Sequence, residues 1–160
     1  MTALASGTSL CLGGKSEVVM LSGPSGLDLT KLRVNGFKDY LAKYPGMKVV
    51  AEKFSSTASS EALTVIQDFL QAHPDLKVVY AFNGPIAIGG AGAARAGKKP
   101  GEVMVLTTDM EVETRRLIND GWIQATVLSQ PVTQAELAVQ RAVEAAEGKK
   151  IPRRRSRKRA

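Results

Sequence analysis

Five times along this chain a short apolar run gives way to a longer stretch of helical periodicity, with only a few residues between them. The runs are EVVMLSG (17–23), MKVVAEK (47–53), LKVVYA (76–81), EVMVLT (102–107) and IQATVL (123–128). Runs of this kind read as strands buried on both faces. The stretches between them are too long for hairpins and suit the crossover that a parallel pair of strands requires. Repeated βα alternation therefore predicts an α/β fold: a five-stranded parallel sheet with helices on both faces, a doubly wound three-layer sandwich. Right-handed crossovers make 2-1-3-4-5 the expected strand order.

The helical stretches carry their own punctuation. Asp28 or Thr30 is expected to cap the first, with Leu29, Leu32, Phe37 and Leu41 as its apolar set and Tyr44-Pro45-Gly46 as its stop. Thr57, Ser59 or Ser60 is expected to cap the second, whose apolar set is Ala62, Leu63, Ile66, Phe69 and Leu70. The third runs over Pro85–Ala96 to Gly97, the fourth over 111–118, and the fifth over Val132–Ala146.

Composition narrows the function classes. One Cys and one His among 160 residues leave no disulfide framework, no Cys-rich or His-cluster metal site and no Ser-His-Asp relay. No cofactor is expected. No apolar run approaches the ~20 residues of a membrane span. The N-terminus has no basic segment and only a weak apolar core, so it is not expected to act as a secretory signal, and Leu10 stands where a lipoprotein site before Cys11 needs a small residue. The formal charge of +7 is concentrated in KKIPRRRSRKRA (149–160), which holds eight of the 22 Lys and Arg; the other 14 face 15 acids. The expected organisation is a poorly structured stub (1–16), one α/β lobe (17–148) and a basic, disordered tail (149–160).

Three motifs invite chemistry and fail on inspection. Ser22-Gly23-Pro24-Ser25-Gly26 lacks the Lys-Ser/Thr of a phosphate loop and the full G-x-S-x-G of a nucleophile elbow, so it reads as a turn. Gly89-Gly90-Ala91-Gly92 lies inside a helix instead of opening one, so its small residues suit close helix–sheet packing better than a pyrophosphate. A phosphorelay receiver needs acids after the first strand and an Asp after the third, where this chain has Ser22-Gly23 and Asn83.

What remains is a row of polar residues near the carboxyl ends of the strands, the edge at which open parallel sheets bind ligands. Arg33 stands early in the first helix, Asn83 after the third strand, Asp109 after the fourth, and Ser129 and Gln130 after the fifth. Singly, each has an ordinary account as a surface charge, helix cap or loop residue. Together they offer a fork of donors, two acceptors and an amide, a set that suits vicinal hydroxyls.

Those residues carry a family likeness. From about Gly13 to Ile151 the chain resembles the C-terminal lobe of type I periplasmic sugar-binding proteins, the ribose-binding-like solute receptors of ABC transporters. The likeness rests on GGKSEVVMLSG, Arg33-x-x-Gly36-Phe37, Ala72-His73-Pro74-Asp75, Ala81-x-Asn83, Ala87 and Gly89, Ala96-Gly97-Lys98, the strand ending in Asp109, and Asn119-Asp120-Gly121. It implies that Arg33, Asn83 and Asp109 hydrogen-bond sugar hydroxyls. It also implies that Ser129 or Gln130 takes the place of a family Gln. An aromatic contact from the loop after the second strand has no clear counterpart, although Phe54 and Thr57 are near. The family usually has Asp after the Asn, where this chain has Gly84.

The resemblance further implies a non-enzymatic role in the periplasm, with a monosaccharide or similar polyol as ligand and an ABC permease as partner. The chain is expected to form half of a cleft, completed by an N-terminal lobe or by self-association. Two other readings stay open: the inducer-binding half of a LacI-type regulator, and a nucleic-acid-binding module acting through the basic tail.

Overall fold

The computed structural model describes residues 15–151. The expectations for the stub lie almost wholly outside the described residues, as do those for the basic tail beyond Ile151. Five parallel strands form one sheet: β1 (Ser16–Ser22), β2 (Met47–Phe54), β3 (Leu76–Ala81), β4 (Met104–Thr108) and β5 (Ala125–Val127), in the order β2-β1-β3-β4-β5. Five helices follow them: α1 (Asp28–Leu41), α2 (Ser59–Ala72), α3 (Gly84–Arg95), α4 (Val112–Asn119) and α5 (Pro131–Ala146). The class and strand order are those expected from the alternation.

Side-chain alternation along the strands splits the core in two. On one face Val19, Leu21, Val79, Ala81 and Val105 pack with Ala62, Ile66, Ile86, Ala87, Ala91 and Leu117 of α2, α3 and α4. On the other, Val18, Met20, Val78, Tyr80 and Leu106 meet Val34, Phe37 and Leu41 of α1. Register locks the layers, with Val19 opposite Val79 and Tyr80 opposite both Met20 and Leu106.

The buried stripe of α1 departs from expectation. It is Thr30, Val34, Phe37 and Leu41, whereas Leu29 and Leu32 are 50% and 69% exposed. Steps of four, three and four residues keep one helical face inward, and position 32 falls nearly opposite position 30. The helix caps differ as well. Leu27 is the N-cap of α1 and makes no side-chain cap bond; Asp28 follows in the first turn, where its charge complements the helix dipole. Ala58 is the N-cap of α2, and the Ser56 amide donates instead to Glu61 at 3.0 Å.

The glycines of α3 are there for space, and they serve helix–helix contact more than helix–sheet contact. A β-carbon at Gly89 would lie 2.3 Å from the Ser59 carbonyl oxygen, and one at Gly92 would lie 3.2 Å from Leu63 Cδ1, both on α2. Only Gly90 also faces the sheet, toward Val105 and Val79.

The described residues through Leu128 form one compact unit, and those from Ser129 onward form a second. The second unit consists chiefly of α5, in which no residue is buried and Val132, Leu137, Val139 and Val143 are exposed.

Candidate functional site

At the carboxyl edge of the sheet, Arg33 from α1 reaches across to the residues that follow β3 and β4. Its Nη2 donates to Asp109 Oδ2 at 3.0 Å, and its Nη1 donates to the Phe82 carbonyl oxygen at 2.9 Å. The guanidinium also lies 4.8 Å from the centroid of the Phe82 ring. That ring rests on Gly23, where a β-carbon would stand 2.6 Å from its carbons. The first βα loop is thus a structural turn, as expected, and its glycine leaves room for the shelf on which Arg33 lies. The arginine and aspartate side chains are 14% and 29% exposed, so the pair is drier than a surface ion pair.

Asp109 adopts a left-handed backbone, with φ of 70°. Asp and Asn enter that region more readily than most residues. The conformation is held from both sides: the Asp109 amide donates to the Val127 carbonyl at 2.9 Å, and Thr126 Oγ1 donates to the Asp109 carbonyl at 2.5 Å. Thr108 Oγ1 donates to the Phe82 carbonyl at 2.6 Å, so this oxygen accepts from both the arginine and the threonine. Backbone strain of this kind concentrates where geometry matters for function.

Asn83 is the N-cap of α3. Its Oδ1 accepts from the Ile86 amide at 3.1 Å, and Pro85 sits in the first turn, where its missing N–H costs nothing. Capping occupies the oxygen and leaves the Nδ2 amide without a protein partner among the described residues. Asn83→Ala is expected to lower the unfolding free energy by about 1 kcal/mol through loss of the cap, as measured by urea denaturation.

Beneath this row, Tyr80 stacks on Phe37 with ring centroids 4.5 Å apart, and its buried hydroxyl has no hydrogen-bond partner among the described residues. Burial pushes its ionisation far above the ordinary phenol range, with Arg33 opposing the shift and Asp109 adding to it. An unsatisfied buried hydroxyl is a net cost. Tyr80→Phe is therefore expected to raise the unfolding free energy, by up to about 1 kcal/mol; a loss of stability in urea would show that the hydroxyl has a partner.

The structure thus brings Arg33, Asn83 and Asp109 together along one edge. Ser129 and Gln130 open the second unit, where Gln130 is the left-handed N-cap of α5 and Gln134 Nε2 donates to the Ser129 carbonyl. Phe54 ends β2 half-exposed, and Thr57 has a left-handed backbone. Among the described residues no cluster of His, Cys, Asp and Glu could hold a metal ion, and no helix is long and apolar enough to cross a membrane. A cavity of about 560 Å³ lies at the opposite edge, lined by Lys15, Lys48, Lys77, Glu17 and Asp75 among others.

Residues 2–150 match the family model described as a periplasmic binding protein domain. The chain belongs to this periplasmic binding protein family. It is 36% identical, over 82% of its own length, to a D-apiose import binding protein of Paraburkholderia graminis. It is 30% identical, over 88% of its length, to a ribose import binding protein of Bacillus subtilis. It spans 42% and 45% of those two relatives, respectively. Among solved structures, an ABC transporter solute-binding protein from Actinobacillus succinogenes with bound D-allose superposes with a TM-score of 0.89 at 27% identity. That match covers 94% of this chain and 54% of the other. A carbohydrate-transporter solute-binding protein from Agrobacterium radiobacter in complex with D-arabinose gives 0.84 at 27% identity, covering 93% and 51%.

Within this periplasmic binding protein fold, one residue at the edge escaped the sequence reading. The Glu111 carboxylate lies directly over Gly84, the first residue of α3. The signal available was the glycine itself, standing where the resemblance leads one to expect an acid, with an unassigned acid two residues beyond Asp109.

Proposed function

We propose that this chain is a sugar-binding lobe of an ABC-importer receptor, in which Arg33, Asn83 and Asp109 form a hydroxyl-binding row. The observation that carries the reading is the Arg33–Asp109 pair, joined at 3.0 Å at the strand ends where Asn83 also stands. Arg33 uses two of its five donors on the protein. Asp109 Oδ1 has no protein partner among the described residues, and neither does Asn83 Nδ2. Donors and an acceptor with fixed spacing match adjacent sugar hydroxyls, each of which both gives and receives a hydrogen bond. None of these groups is poised to break a bond, so the role is capture without catalysis. Ser129 and Gln130 enter the reading through the family resemblance alone.

The proposed location is the periplasm and the proposed partner an ABC permease, both by membership of the family. Charged hydrogen bonds contribute about 1.5–3 kcal/mol each, so three such residues support binding no tighter than about micromolar. Isothermal titration of the chain with D-ribose, D-allose, D-apiose and D-arabinose tests the reading. Saturable heat with at least one of them is expected, and no heat from any at about 10 mM, a level that detects even millimolar binding, would overturn it.

A further inference from the structure

We propose that Glu111 is a specificity-determining residue of this edge, one that disfavours sugars bearing a phosphate or carboxylate and favours neutral and amino sugars. The inference rests on the sugar-binding reading above. A β-carbon built on Gly84 would stand 1.6 Å from Glu111 Oε2, 2.4 Å from Cδ and 2.7 Å from Oε1. All three distances are far below contact, so the whole carboxyl group lies against the glycine. Gly84 has no left-handed backbone, and a β-carbon there would displace the carboxylate.

Two features hold the group in place and leave its charge uncompensated. Thr114, fully buried in the first turn of α4, donates from Oγ1 to Glu111 Oε2 at 2.8 Å. Among the described residues no cation pairs with Glu111, whereas Arg33 is committed to Asp109. Arginine and aspartate cancel, and Glu111 adds one negative charge to the edge.

Its position gives that charge a specific consequence. The N-terminus of a helix, with its free amides and positive dipole end, ordinarily attracts anions. At α3 Asn83 Oδ1 takes the Ile86 amide, residue 85 is a proline without an amide hydrogen, and the Glu111 carboxylate covers residue 84. The carboxylate thus sets a negative charge beside the start of α3. A sugar phosphate or uronate arriving beside Asn83 meets a like charge seated on the next residue, whereas an ammonium or hydroxyl meets acceptor oxygens.

The test compares D-ribose, D-ribose 5-phosphate, D-glucosamine and D-glucuronate by isothermal titration against the full chain and its Glu111→Gln and Gly84→Ala variants. Glu111→Gln keeps the shape and removes the charge; Gly84→Ala drives the carboxylate off its seat. In both, affinity for ribose 5-phosphate relative to ribose is expected to rise about tenfold, the scale of one close charge pair at the protein surface. Glucosamine is expected to lose ground relative to ribose. Because Glu111 is exposed, the glutamine variant should fold, and circular dichroism checks both variants. Measurable ribose binding with unchanged ratios overturns the role of Glu111 and leaves the sugar site standing. Silence from every ligand in every variant overturns both.

Discussion

Asp109→Ala is expected to abolish sugar binding and to lower the unfolding free energy by about 2–4 kcal/mol. Two costs combine. Arg33 is only 14% exposed, and without the carboxylate its charge keeps only the Phe82 carbonyl and ring as partners. Removing one member of a buried pair costs about 3–5 kcal/mol, and partial exposure of both side chains lowers that here. The second cost is local: alanine at a φ of 70° loses the tolerance that aspartate has there, roughly 1 kcal/mol. Asp109→Asn separates the two, since asparagine accepts the left-handed backbone and loses only the charge. Urea denaturation should therefore rank wild type, Asn variant and Ala variant in falling stability, while calorimetry shows ligand binding weakened in the first variant and absent in the second. Equal stability for both variants would mean that the backbone conformation contributes nothing. The exposed Lys31–Asp28 pair supplies the contrast, because surface ion pairs of that kind contribute ~0–1 kcal/mol.

Gly89→Val is expected to have the largest effect on stability, a loss of at least about 3 kcal/mol. The β-carbon alone would stand 2.3 Å from the Ser59 carbonyl oxygen, 2.7 Å from Ala62 Cβ and 2.9 Å from the Leu63 amide nitrogen. Two of these three atoms are backbone, so no rotamer change relieves the overlap; α2 and α3 must separate and the buried cluster beneath them must open. Gly92→Ala reads the same interface with the opposite outcome. Its nearest neighbour is Leu63 Cδ1 at 3.2 Å, the tip of a flexible side chain, and alanine recovers helix propensity of about 1 kcal/mol. Thermal unfolding of the two variants should differ in sign or nearly so. A mild effect at Gly89 would contradict the close approach of the two helices.

Most of the architecture was legible because it follows from a topological necessity. Parallel strands cannot be joined by tight turns, so EVVMLSG, MKVVAEK and their successors, each followed by a helical stretch, admit few arrangements. Arg33, Asn83 and Asp109 were legible for the same reason, since strand ends in this topology share an edge. The details that escaped depend on which of several similar residues wins a position. Two leucines in α1 outweighed Thr30 in the apolar pattern, yet the burial stripe runs through the threonine and leaves both leucines in water. Hydroxyl-bearing residues near the starts of α1 and α2 looked like caps, and the chain caps neither helix with them. Glu111 over Gly84 joins two successive βα units, and no periodicity within either one encodes that contact.

The backbone around Asp109 ties this edge to the shortest strand of the sheet. β5 is three residues long, half-buried throughout, and paired on one side only. Both backbone groups of Asp109 are nonetheless anchored on it, through Val127 and Thr126. The arginine–aspartate pair therefore rests on the shortest strand of the sheet, and short, half-buried edge strands are where local opening costs least.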